Sequence, residues 1–171
     1  MDTVDNVITR IWDDPFRFLV TGFNWKTALW SAFLRSLVFC AILIQGGWRA
    51  AIFAMSAEAL FRILVSGLFG SIMQAFRNAQ PQWRAFFLSA VLLPGMVQIA
   101  EAWLHWSLGT PRFLITTAAS VVMTILAGLF QWHAMRQGAM LVGEQSLTVA
   151  EEMRAIPGLL GSFLFGWARL T

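Results

Sequence analysis

Charge is what this sequence has least of. Lys, Arg, Asp and Glu together make up 12% of its 171 residues, about half the fraction usual in a water-soluble domain. So little polar side chain cannot coat a globule. Apolar residue types reach 58% and the mean hydropathy is +0.66, so much of the surface must face something other than water. A lipid bilayer is the simplest partner.

Other absences narrow the function. Cys40 is the single cysteine and sits inside an apolar run, which excludes a disulfide framework and reads as a buried, inert thiol. With one cysteine and two histidines there is no Cys/His metal spacing. The histidines themselves, His105 and His133, fall toward opposite faces of the predicted bundle, roughly 25 Å apart by helix rise and too far to share a haem. The twelve Lys and Arg are scattered singly rather than in a stripe that tracks phosphates, so nucleic acid is not an expected partner. There is no Gly-x-Ser-x-Gly elbow and no phosphate-binding loop; Gly67-Leu-Phe-Gly70-Ser71 has helix-packing composition. Asp13-Asp14 is the only paired aspartate, and Glu151-Glu152 reads as the first turn of a soluble helix. No enzyme, cofactor or metal is expected. Nor is a secretory leader, because Asp2, Asp5, Asp13 and Asp14 precede the first apolar run, and no lipidation motif occurs at either end.

What is present is bilayer-length apolar sequence. A helix needs about 20 residues to cross the hydrocarbon core, and four stretches qualify, at about 28–47, 50–76, 85–108 and 113–133. None alternates as a strand does, and each is too long for a barrel strand. The expectation is an all-α integral membrane bundle of four transmembrane helices over residues 28–136. Turns at Gly46-Gly47-Trp48-Arg49 and Gly109-Thr110-Pro111-Arg112 join the spans on one side, and the polar linker Arg77–Arg84 joins them on the other.

Basic residues orient it. With the amino terminus inside, Arg10, Arg17, Lys26, Arg77, Arg84, Arg136, Arg154 and Arg169 are cytoplasmic, while only Arg49 and Arg112 lie on the far side. Eight against two is a positive-inside bias and predicts N-in/C-in topology in a cell membrane of the bacterial inner-membrane type. Trp25, Trp30, Trp48, Trp83, Trp103, Trp106 and Trp132 fall near span ends, where an indole prefers the headgroup layer.

The flanks read as interfacial. Val4, Val7, Ile8, Ile11 and Trp12 recur at helical spacing in an N-terminal amphipathic segment, 1–27. Asp14 before Pro15 reads as a cap and first-turn proline opening a second short element. In the C-terminal segment, 137–171, Thr148-Val-Ala-Glu151 fits a capping box, and Pro157-Gly158 is expected to break the helix it starts. The apolar run Leu159–Leu170, which includes Trp167 and Arg169, is too short to span and reads as re-entrant or interfacial.

Charges inside spans are costly and need a partner or a purpose. Arg35, Glu58, Arg62 and Glu101 are such residues, with His105 one turn beyond Glu101. Helix rise puts Glu58 and Glu101 roughly 10–12 Å from the outer turns and Arg35 and Arg62 roughly 18–20 Å in, an acid layer above an arginine layer. Glu58 and Arg62 have the favoured acid-first spacing of four. Pro94, Gln98, Glu101 and His105 form a polar stripe with a backbone break, and Thr117, Ser120, Thr124, Gly128 and Gln131 form another. Two readings stand: ion pairs that set helix register, or a proton or solute path with an arginine as counter-charge. Arg35 could alternatively snorkel to the cytoplasmic interface. The small residues Ser66, Gly67, Gly70, Ser71, Ser120, Thr124 and Gly128 mark close helix contacts, within the bundle or between copies.

Together these features predict a small multi-pass protein that serves as a non-catalytic subunit or scaffold of a larger membrane assembly. The alternative is an oligomeric transporter or channel component that uses the Glu/Arg/His layer. Expected partners are the bilayer and other membrane subunits, or further copies of the chain.

Overall fold

Among the described residues, every extended secondary-structure element in the computed structural model is helical. The structure describes residues 2–44, 47–110, 112–143 and 146–166; Gly46, Pro111, Trp167, Arg169 and Leu170 lie outside them. Seven α-helices are present among the described residues: α1 Val4–Asp13, α2 Trp25–Leu43, α3 Trp48–Phe76, α4 Gln82–Phe86, α5 Leu93–Ser107, α6 Phe113–Arg136 and α7 Val149–Phe165. Wider π-type turns occupy Arg17–Thr21 and Phe87–Leu92. The only strand-like pairing among them is a single bridge between Thr3 and Gln80.

Four helical stretches are long and apolar enough to cross a membrane: Trp25–Leu43, Ala51–Phe76, Gln82–Ser107 and Phe113–Arg136. They coincide with the expected spans to within a few residues. Side-chain placement is inverted relative to a soluble domain. Leu29, Phe33, Phe53, Leu60, Leu64, Ile99, Trp103, Leu114 and Ile125 point outward, whereas Arg35, Glu58, Arg62, Glu101, His105 and Ser120 are buried. Length, apolar exterior and charged interior together are the pattern of a multi-pass membrane protein.

The third span shows how the chain absorbs a proline. Pro94 has no N–H to return to the Ala90 carbonyl, and its ring crowds that turn. The helix continues nonetheless, its preceding turn widened so that the Leu93 N–H reaches back to Leu88. α6 packs against the exposed carbonyl through Gly128, where a Cβ would lie 3.3 Å from Ala90 O. The backbone break anticipated at Pro94 is therefore a widened turn.

Pro157 corrects a second expectation. The helix beginning at Val149 runs through Pro157 and Gly158 to Phe165, so Leu159–Phe165 is not a separate element. A proline inside a helix removes one backbone bond and introduces a clash with one carbonyl, which can bend a helix without ending it. Its start is as anticipated. Thr148 Oγ1 accepts from Glu151 N–H at 3.3 Å, and Glu151 Oε2 accepts from Thr148 N–H at 2.7 Å.

At the opposite end of the chain, Thr3 Oγ1 caps α1 by accepting from the Asn6 N–H. The helix turns Val4 and Val7 into a core with Phe76, Ala79 and Ala85, at the link between α3 and α4. Backbone bonds Val4 N–H to Gln80 O and Gln80 N–H to Asp2 O, both 2.9 Å, hold it there, and Arg84 meets Asp5 at 3.2 Å. Asp14 Oδ1 accepts from the Arg17 N–H at 3.0 Å, so Asp14 opens the next short element with Pro15 in its first turn.

Candidate functional site

Four spans converge on one cluster of buried charge. α2 contributes Arg35, α3 contributes Glu58 and Arg62, α5 contributes Gln98, Glu101 and His105, and α6 contributes Ser120 and Thr124. On α2 the buried positions Thr27, Ser31, Arg35 and Phe39 recur every four residues, so one helix face carries both the small polar contacts and the arginine.

Each acid meets both arginines. Arg62 Nε lies 2.8 Å from Glu58 Oε1, and Arg62 Nη2 is in close ion contact with Glu101 Oε2. Arg35 Nη1 lies 3.4 Å from Glu101 Oε2 and 3.9 Å from Glu58 Oε1. The Arg35 guanidinium also donates to Ser120 Oγ and Thr124 Oγ1. The Ser120 hydroxyl in turn donates to Glu101, and the Thr124 hydroxyl donates to Gln98 Oε1 at 2.6 Å. The acid layer and arginine layer expected from helix rise thus merge, because the arginine stems are long enough to bring their guanidinium groups level with the carboxylates. Arg35 turns inward and is 3% exposed, so it does not snorkel to an interface.

His105 closes the end of the cluster nearest the α5–α6 turn. Its Nε2 lies 3.1 Å from Glu58 Oε2, and its Nδ1 lies 2.9 Å from Thr110 Oγ1. An ionised carboxylate only accepts, so Nε2 carries a proton and, in the neutral ring, Nδ1 accepts from the Thr110 hydroxyl. Phe39 stacks on the ring at 4.8 Å between centroids. The two guanidinium groups and the two carboxylates of the cluster are equal in number.

Ligand atoms of Glu58, Glu101 and His105 all lie within 4.8 Å of one another, close enough for three ligands of one metal ion. The same carboxylates already serve two guanidinium groups. A divalent cation would have to displace both arginines or sit against their charge.

The small residues are used within the chain. A Cβ on Gly67 would lie 2.0 Å from the Phe23 ring, and one on Gly70 would lie 2.9 Å from Thr27. Gly67 O also accepts from Asn24 N–H at 3.0 Å. Ser66 donates to Ser31 at 3.1 Å, and Ser71 donates to the Leu68 carbonyl. On α6, Ser120 and Thr124 hold Arg35, while Gly128 admits α5.

No family model, curated protein or solved structure matches the chain. Its function is therefore argued from this geometry.

Sequence reasoning missed a second buried polar group, at the other end of the bundle. Lys26 Nζ lies 2.8 Å from Glu152 Oε1 and also donates to the Leu147 carbonyl. Glu152 Oε1 accepts from the Met140 N–H at 3.0 Å. Asn24 Nδ2 donates to Met140 O at 2.9 Å, and Gln74 exchanges bonds with the Val142 N–H and carbonyl at 3.1 and 2.9 Å. The sequence places Lys26 among the cytoplasmic basic residues and Glu151-Glu152 in the first turn of a soluble helix, and nothing in either pattern signals that Lys26 and Glu152 are buried. One signal outside those patterns was available: Lys26 is the sole lysine among twelve basic residues, placed two residues after a capping asparagine.

Proposed function

We propose that this protein is a non-catalytic structural subunit of a membrane assembly, threaded four times through the bilayer with both ends cytoplasmic. The observation that carries this reading is the closure of the buried charge cluster. Arg35, Glu58, Arg62 and Glu101 neutralise one another inside the bundle. Such a set does little for net stability compared with apolar packing, but its geometry specifies which helix meets which and in what register. The exterior of the spans is left apolar for lipid and for other membrane subunits. Positive-inside bias supports the orientation and a cell membrane of the bacterial inner-membrane type. The flanks α1 and α7, with exposed Trp12, Met153, Leu164 and Phe165, suit the interfacial layer.

A second reading, a transporter or channel component, is favoured by one observation. A cavity of about 50 Å³ lies against Arg35 and Arg62 and is lined by Ser31, Ser66, Thr124 and Gln131. Part of its wall is polar, the rest including Phe69, Met73, Pro94 and Val97, and it is large enough for a water molecule.

One pair of measurements separates the two. The full chain is isolated in mild detergent and co-purifying proteins are identified by mass spectrometry; the same chain in liposomes is assayed for pH-dependent flux. A stoichiometric membrane partner, with Glu58→Gln and Glu101→Gln lowering yield and monodispersity, supports the subunit reading. A flux abolished by those substitutions in a protein that remains monodisperse establishes the transporter reading and overturns the first.

A further inference from the structure

We propose that the hollow where α4, α6 and α7 meet binds the headgroup of an anionic phospholipid. The hollow encloses about 630 Å³, within the range of small-molecule sites. Its lining is graded along the membrane normal. Gln82 opens the third candidate span and Arg136 ends the fourth, and both line the mouth together with Gln137. Phe86 lies one turn further in on one wall, and Leu129 roughly 10 Å further in on another. An occupant must therefore be polar at the level of the span ends and apolar beneath. A phospholipid has that shape; an acidic peptide from the aqueous phase does not.

Charge selects the sign. Of the other basic residues at this end of the bundle, Arg10 meets Asp2, Arg84 meets Asp5 and Lys26 meets Glu152, while Arg17, Arg77 and Arg154 do not line the hollow. Arg136 is exposed and has no ion pair among the described residues. None of the described residues lining the hollow is acidic. The Arg136 guanidinium and the Gln82 amide are a donor set for phosphodiester oxygens, the Gln137 amide being held by His133 and Ser162. Basic pockets between spans at a cytoplasmic face are suited to anionic headgroups.

The walls are braced. His133 Nε2 lies 2.9 Å from Ser162 Oγ and 2.8 Å from Gln137 Nε2. Phe163 packs edge-on against Phe130 at 5.7 Å, and Trp132 packs against Phe86 at 5.8 Å. Trp83, 70% exposed, faces the mouth, where an indole meets the headgroup layer. The site is thus largely formed before a lipid arrives, which limits the ordering cost of binding.

This inference rests on the membrane-spanning reading, so insertion is checked first by recovery of the full chain from carbonate-washed vesicles. Failure there counts against the spanning reading itself. The inserted protein is then extracted in mild detergent, supplied with phosphatidylglycerol or phosphatidylcholine, and its retained lipids are counted by native mass spectrometry. Phosphatidylglycerol should be retained roughly fivefold more strongly, the worth of one basic group near the surface. Arg136→Gln should abolish that preference, Leu129→Trp should weaken retention by filling the apolar part, and Arg77→Gln, at the same end but outside the hollow, should change nothing. Equal retention of the two lipids overturns the site. So does an equal loss in Arg77→Gln, which would mean diffuse surface charge, or displacement of the lipid by inorganic phosphate, which would mean a site for a soluble anion.

Discussion

Lys26 Nζ and Glu152 Oε1 lie 2.8 Å apart, although 126 residues separate them in sequence. Both side chains are 3% exposed. The contact ties the first turn of α7 to the first turn of α2, and the loop between α6 and α7 is stitched over it through Met140 and Leu147. Removing one member of such a pair strands the other charge away from water. Lys26→Met or Glu152→Gln should each cost about 3–5 kcal/mol, and the double change Lys26→Met/Glu152→Leu should recover much of the loss. Thermal unfolding in detergent reads the first effect. Protease susceptibility near residues 139–150 should rise in the single variants and fall back in the double; a flat response in both assays would mean the pair does not hold α7.

The central cluster should behave as a coupled unit. Glu101→Gln leaves two guanidinium groups sharing one carboxylate, again at a cost of about 3–5 kcal/mol. Because Glu58 and Glu101 touch the same two arginines, their single costs should not add. A double-mutant cycle with Glu58→Gln and Glu101→Gln should give an interaction energy of about 0.5–3 kcal/mol. Strict additivity would show that the two carboxylates act independently.

Glycine positions supply a packing test with opposite signs. Gly67→Ala drives a methyl into the Phe23 ring, 2.0 Å from its Cζ, and overpacking of this kind costs about 1–3 kcal/mol. Phe23→Ala in the same chain should restore part of it. Gly158 lies inside α7 with open space around its Cβ position, so Gly158→Ala should stabilise the helix by about 0.5–1 kcal/mol. Unfolding midpoints moving in the same direction for both would contradict the packing described.

Acid should loosen the start of α7. The backbone N–H of Thr148, and then its hydroxyl, hold the Glu151 carboxyl below its ordinary pKa. A carboxylate depressed in the folded state adds stability that is present above its unfolded pKa, near 4.3, and lost as pH falls through the lower folded value. Amide protection at Glu151 should therefore persist at neutral pH and fade below about pH 4. Thr148→Ala removes the hydroxyl partner and should raise the Glu151 pKa, as read by a carboxyl NMR titration. An unchanged titration in that variant would show that the hydroxyl bond is not the cause.

How much of this was legible beforehand differs from element to element. The four spans were visible because an apolar run of bilayer length is a local property, needing no knowledge of neighbours. The capping box at Thr148 and Glu151 was equally local, a pattern completed within one turn. Pro157 misled because a proline is a strong signal for a helix end, and nothing in the flanking residues told a bend from a stop.

The candidate site divides in the same way. Glu58 and Arg62 could be paired in advance from their spacing on one helix, and Arg35, Glu101 and His105 stood out because charge within a span is costly wherever it occurs. That Arg35 contacts Glu101, Ser120 and Thr124, from two other helices, had no sequence signature.

By itself, then, the amino-acid sequence determined which segments are bilayer-length apolar helices, how several of them begin, and which residues are too polar to face lipid. Those properties follow from a residue's own chemistry and that of neighbours one turn away. Only the tertiary structure decided that the four charges close on one another, that Lys26 finds Glu152, and that the glycines of α3 are used on Phe23 and Thr27 of the same chain. Such pairings depend on the relative rotation and depth of helices far apart in sequence, and those are set by packing of the whole bundle at once.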